Sequence, residues 1–298
     1  MAAVPPLLST GAYTRALSLP AHDAMAIAGV GILATLAFSG SALAGLSFNP
    51  PLRLMLLVPT VLGLLAFLYH LWQPRENQLF QILTYAALWS LMPTAGTQLS
   101  FLASTANMPL QTDLLAATDR MLGFSWIAWA KFVLARPWLE WITGQAYLSY
   151  AFQPYVALVL IALFGSARRN AQFMIATMIA LIMTIAVSTL LPAIEPAYFH
   201  GFITPAWEAH EALRAGQRTD LPYIGIICFP SFHTAMAILF TAVYRSMPMA
   251  FCLALALNAV MLVSVPFSGD HYLVDLVGGL VVSVIAIRLT LRLVPEAE

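Results

Sequence analysis

Stretches of about 20 predominantly apolar residues recur along the chain, and they restrict its fold more strongly than any other feature. A segment of that kind crosses roughly 30 Å of hydrocarbon only if every backbone N–H and C=O is bonded within it, which selects the α-helix. Eight stretches are read, at 24–46, 52–72, 79–104, 146–165, 171–192, 231–247, 249–267 and 272–292. Short connectors rich in Pro, Gly and charge mark the exits, as in Gln73-Pro74-Arg75-Glu76-Asn77 and Gly165-Ser166-Ala167-Arg168-Arg169-Asn170. The expected fold is all-α, a polytopic membrane helical bundle of about eight transmembrane helices. Composition agrees: 61% of residues are hydrophobic and 9% charged, against roughly 25% charged in soluble domains. The net charge of zero lacks the basic field that nucleic-acid binding requires. Cys228 and Cys252 have no partners at metal-site spacing and are read as inert. Positions 1–20 carry Arg15 and no short apolar core ending at a cleavage site, so the first stretch is read as a span.

Two connectors are long. Residues 105–145 interleave Trp126, Trp129, Trp138 and Trp141 with Arg120, Lys131 and Arg136, a mixture suited to interfacial helices lying in the headgroup layer. Residues 193–230 carry Glu195, Glu208, Glu211, Asp220, Arg214 and Arg218 among prolines and read as a polar loop. Eight crossings put both termini on one face. That face collects Arg15, Arg75, Arg168, Arg169, Arg245, Arg288 and Arg292, mostly in termini and tight turns, so it is predicted to be cytoplasmic.

Ionisable groups in or beside apolar spans mark function by default. Phe229-Pro230-Ser231-Phe232-His233 opens the sixth stretch, with Pro and Ser at positions typical of a helix start. His271-Tyr272-Leu273-Val274-Asp275 opens the eighth, and one intervening crossing puts both starts on the same side. His271 and Asp275, four residues apart, share a helix face. The carboxylate can accept the Nδ1 proton and leave Nε2 as a nucleophile. This suits phosphoryl transfer from a lipid phosphate: His271 attacks phosphorus, Asp275 steadies the imidazolium, and His233 serves as acid and then base. The amides of 231–233 and the Ser231 hydroxyl offer a cradle for the anion. No metal and no cofactor is called for. His22, His70, His200 and His210, each without such company, are read as interfacial hydrogen-bonding residues.

Pro230-Ser231-Phe232-His233 and His271 through Asp275 resemble the second and third motifs of the type-2 phosphatidic acid phosphatase and vanadium haloperoxidase superfamily. More narrowly, the chain is similar to the branch containing fungal inositol phosphorylceramide synthase and its bacterial relatives. That similarity rests on both motifs, Gly278-Gly279, Asp119-Arg-Met-Leu-Gly-Phe-Ser-Trp126 and Leu191-Pro-Ala-Ile-Glu-Pro-Ala-Tyr198. The resemblance implies a six-helix catalytic core within 79–298, preceded by N-terminal transmembrane helices in 1–78. It also implies a bacterial inner-membrane location and a metal-free site, which the arginine distribution turns toward the periplasm. His271, Asp275 and His233 would be catalytic, with Ser231 and Phe232 at the phosphate. The superfamily's Arg six residues before the nucleophile is replaced by Val265, and Lys131 and Arg136-Pro137 are too closely spaced for its first motif. Arg136, Arg214 and Arg218, on the face of the histidines, are candidates for the missing charge. The activity expected is head-group phosphotransfer from a phospholipid or sphingolipid-type donor to an alcohol. Hydrolysis by water, as in a lipid phosphatase, is the alternative. A transporter, the reading from another class, would need ionisable groups at mid-membrane, whereas His233 and His271 sit in first turns.

Overall fold

The computed structural model describes residues 19–72, 78–201, 205–217 and 220–296. Among them the chain is almost wholly helical. The N-terminal helices are α1 (Ala21–Leu43), α2 (Leu52–Met55), α3 (Leu57–Trp72) and α4 (Gln78–Ser104). The first long connector forms α5 (Thr112–Met121), α6 (Trp126–Leu134) and α7 (Pro137–Leu148). Then come α8 (Gln153–Phe164), α9 (Ala167–Leu190), α10 (Pro205–Arg214), α11 (Phe232–Ala242), α12 (Pro248–Ser268) and α13 (Leu273–Leu293). Two short strands, β1 (Ser47–Asn49) and β2 (Asp220–Pro222), pair in parallel, with Phe48 opposite Leu221.

All eight expected stretches are helical over most of their length. Among the described residues, five segments are long and apolar enough to cross a membrane: Ala21–Leu43, Leu52–Trp72, Ala167–Leu190, Pro248–Ser268 and Leu273–Leu293. A sixth arises if Pro137–Ala151 and Gln153–Phe164, bent by 57° at their junction, form one broken span. These are the helices of an integral membrane protein. The eight-crossing expectation meets two physical obstacles. At 11 residues α11 reaches only about 16 Å. Helix α4 is diluted by Gln81, Thr84, Ser90, Thr94, Thr97, Gln98 and Ser100. The expected interfacial segment also divides: Trp138 and Trp141 are exposed, but α7 packs along α12 as part of the bundle.

Helix α9 is central and packs against α1, α4, α11 and α13. Its Phe173, Met174 and Ile175 join Tyr85, Trp89, Met236 and Phe240 in the main core. The outer helices do the reverse: α3 exposes Val61, Leu64, Phe67 and Leu68, a surface suited to acyl chains. The expected polar loop instead carries α10 and β2. Its Leu221 and Ile226 pack with Phe101 and Phe48, so the β1–β2 pair ties the α1–α2 connection to it.

One contact brings the two histidine segments together. A Cβ on Gly279 would meet the Ser231 carbonyl and come within 2.7 Å of Thr234 Cβ. One on Gly278 would lie 2.8 Å from Phe229 Cε2 and from Pro230 Cβ. Only a glycine pair lets α13 lie directly on the start of α11. The Ser231 amide also donates to the Asp275 carbonyl at 3.0 Å.

Candidate active site

Ser231 caps α11, its hydroxyl accepting from the Thr234 amide at 3.3 Å. Ser231 is fully buried and both its amide and its hydroxyl are engaged within the protein. The first-turn N–H groups without an intrahelical acceptor are then those of Phe232 and His233. Both residues line a cavity of about 350 Å³, which His271 also lines. Tyr147 stacks on His233 at 4.3 Å between centroids, and Tyr150 lies tilted against it at 4.6 Å. The Tyr147 hydroxyl is 3.3 Å from His233 Nδ1.

His271 is 4% exposed and Asp275 not at all. His271 Nδ1 lies 3.0 Å from Asp275 Oδ2, which also accepts the Tyr272 amide at 2.9 Å and the Cys228 thiol at 3.4 Å. Asp275 Oδ1 is buried with no partner. The carboxylate thus turns one oxygen toward the imidazole and is held there by two other donors. Burial and the neighbouring Asp275 push the Cys228 thiol well up, so it stays protonated and serves as a donor. Sγ of Cys228, a ring nitrogen of His271 and a carboxylate oxygen of Asp275 lie within 4.8 Å of one another, a donor set that could also hold a metal ion.

Residues 119–126 brace His271 from both sides. Asp119 accepts the amides of Leu273 (2.8 Å) and Val274 (3.0 Å), so a carboxylate 154 positions away caps the helix that carries Asp275. Trp126 Nε1 donates to the Pro266 carbonyl at 2.6 Å, and that carbonyl also accepts the His271 amide at 3.2 Å. Trp126 is therefore a buried brace and not part of an aromatic belt. Asp119→Ala leaves both amides without their acceptor and is expected to cost about 1–2 kcal/mol. A lowered apparent Tm in detergent, with Asp119→Asn falling between the two, is the check.

The electrostatics differ from the expected cationic cage. Among the described residues no Lys or Arg lines the cavity, whereas Glu195 does. Asp270, at a left-handed φ of 53°, accepts the Ala197 amide at 2.8 Å. Burial, aided by the charge of Glu195, pushes its carboxyl up to about 7. Arg136 donates to the Phe132 carbonyl at 2.8 Å and lies 3.9 Å over that ring. Arg214 donates to the Met108 carbonyl and lines a separate pocket of about 20 Å³, which shares Ser100, Ile226 and Ile227 with the larger cavity. His210 lines that small pocket too, and burial and Arg214 lower its pKa to about 4. Arg218 lies outside the described residues.

The structure thus gathers His233, His271, Phe232 and, behind them, Asp275 and Ser231. It adds Tyr147, Tyr150, Glu195, Asp119, Trp126 and Cys228, for which sequence reasoning assigned no place at the site. Asp119, Trp126 and Glu195 lie in the segments 119–126 and 191–198 that carry the family resemblance. Gly269 belongs here too, since a Cβ on it would sit 2.9 Å from both His271 Cδ2 and Tyr147 Cε2.

No curated protein and no solved structure matches the chain. Residues 113–289, more than half of the chain and including both histidine segments, match the PAP2 superfamily. The chain belongs to that superfamily.

Proposed function

We propose that the protein is a membrane lipid head-group phosphotransferase working through a phosphohistidine. Membership of the PAP2 superfamily and the span-forming helices fit a lipid phosphatase or phosphotransferase. The observation that carries the mechanism is that Asp275 fixes Nδ1 of His271 while His271 and His233 line one cavity. With Nδ1–H donated to Asp275, Nε2 keeps its lone pair. It attacks the lipid phosphorus, a P–N bond forms, and the bond from phosphorus to the leaving oxygen breaks. His233 gives that oxygen its proton, then takes one from the acceptor hydroxyl, whose oxygen displaces His271. The Phe232 and His233 amides face the phosphate. Of the arginines, Arg214 is the better placed to add charge, because its pocket adjoins the cavity. Arg136 is engaged on Phe132.

The wall supports transfer to an alcohol over release to water, since Trp89, Met92, Leu181 and Ile226 give it apolar surface that suits a lipid acceptor. The resemblance to the inositol phosphorylceramide synthase branch supports the same choice. On this reading α4 and α11 complete eight crossings, the termini are cytoplasmic and the site opens to the extracytoplasmic side. Residues 79–298 carry the chemistry, behind the membrane helices of 1–78.

The test is turnover of phospholipid labelled in its phosphate by the purified protein, with diacylglycerol, ceramide or inositol as acceptor, with and without a chelator. Label should move into a new phosphodiester at a rate the chelator leaves unchanged. Label released as free phosphate or phosphomonoester would mean a phosphatase. Loss of turnover on chelation would overturn the phosphohistidine in favour of a metal at Cys228, His271 and Asp275.

A further inference from the structure

At the end of the bundle opposite the histidines, a cavity of about 70 Å³ opens between α9, α11 and α13. Its walls are apolar, with Phe173, Leu239, Val243 and Ile287, while Arg169 and Arg245 stand in its lining with Gln172 and Thr290. Arg169 Nε is buried and has no partner. One of its Nη atoms bonds Ser246. Arg245 donates to Gln172 Oε1 at 3.0 Å and pairs with the exposed carboxylate of Glu296, Nε to Oε1 2.7 Å. Gln172 in turn donates to the Val294 carbonyl and Arg168 to that of Pro295. The chain's own C-terminal segment thus lies at the cavity, with a carboxylate on one of its two guanidiniums.

We propose that this cavity binds the head group of an anionic phospholipid, with Arg169 and Arg245 on the phosphate and an acyl chain along the apolar wall. Two guanidiniums in one lining suit a phosphate, which accepts from both at once. Arg168 and Arg292 add positive charge, and Glu296 is the one acid among the described residues of 165–172, 243–248 and 286–296. An exposed ion pair such as Arg245 to Glu296 contributes little and exchanges readily. The wall decides for a lipid over a free anion: the α13 face that carries Ile287 and Leu291 runs on through Val284 to Leu280, which is exposed and suited to an acyl chain. The site is independent of the chemistry proposed at the other end.

The experiment titrates the full-length protein in a neutral detergent with dioleoylphosphatidylglycerol, dioleoylphosphatidylcholine or inorganic phosphate, read by native mass spectrometry. Phosphatidylglycerol should bind at least about 10-fold more tightly than phosphatidylcholine. The double variant Arg169→Gln/Arg245→Gln should abolish that preference, and Glu296→Gln should strengthen binding a few-fold. Ala242→Trp, which fills the cavity and leaves the charges in place, should weaken it about 10-fold and serves if the double variant does not fold. Equal binding of the two lipids, or an Ala242→Trp protein that binds as before, overturns the proposal. Displacement of the lipid by equimolar inorganic phosphate also overturns it, leaving an anion site without a lipid.

Discussion

His271→Ala should reduce phosphoryl transfer by at least about 10⁴-fold, the scale expected when the atom that forms the covalent intermediate is removed. The packing around position 271 gives little reason for the fold to fail, because the backbone amide stays on the Pro266 carbonyl and Asp119 still caps α13. Two readouts separate chemistry from structure. Wild-type protein quenched during turnover should carry an acid-labile, alkali-stable phosphoryl label, and the variant none. His271→Gly should recover part of its activity with added imidazole, since the 350 Å³ cavity admits a free ring where the side chain was. A variant that retains the label would place the nucleophile elsewhere, with His233 the next candidate.

Asp275→Asn is the second large effect, an expected fall of about 10²–10⁴-fold in kcat with KM little changed. Three donors converge on Oδ2, from His271, Tyr272 and Cys228, and Oδ1 is buried without a partner. An asparagine that keeps its oxygen toward those donors buries an unpaired NH₂ at the Oδ1 position, at about 1–3 kcal/mol. Turned the other way, its NH₂ faces Nδ1 and moves the imidazole proton to Nε2, which removes the nucleophilic lone pair. Both orientations lose the negative charge that stabilises the imidazolium. Single-turnover rates with an apparent Tm measured alongside test this. An unchanged rate would show that Asp275 serves packing alone.

Much of the site was legible because its signals are local. Pro230-Ser231 before an apolar run marks a helix start, and four residues from His271 to Asp275 fix one helical face. What stayed hidden depends on contacts between distant parts of the chain. Asp119 reads as one acid in a surface helix until its oxygens are found on Leu273 and Val274, and Trp126 reads as a belt residue until Nε1 is found on Pro266. The pairing of 47–49 with 220–222 joins two three-residue strands in otherwise irregular connectors, too short for any alternation to show. Crossing counts were blurred for a related reason. Thr97 and Ser100, two of the polar residues that lower the hydropathy of α4, line the cavity. The arginines drew attention by charge, but charge alone does not say which way a side chain turns. Arg136, which precedes α7, folds back onto the end of α6.

The backbone contact at Gly279 separates two tasks that most binding clefts combine. Because α13 rests on the Ser231 carbonyl, the spacing of the two histidines belongs to the frame and is insensitive to what fills the cavity. Much of the facing cavity wall comes from other elements, α4 and the segment 223–227. If the proposed transfer holds, Met92, Thr97, Tyr223 and Ile226 are the positions at which acceptor preference can be redesigned while His233 and His271 stay in register.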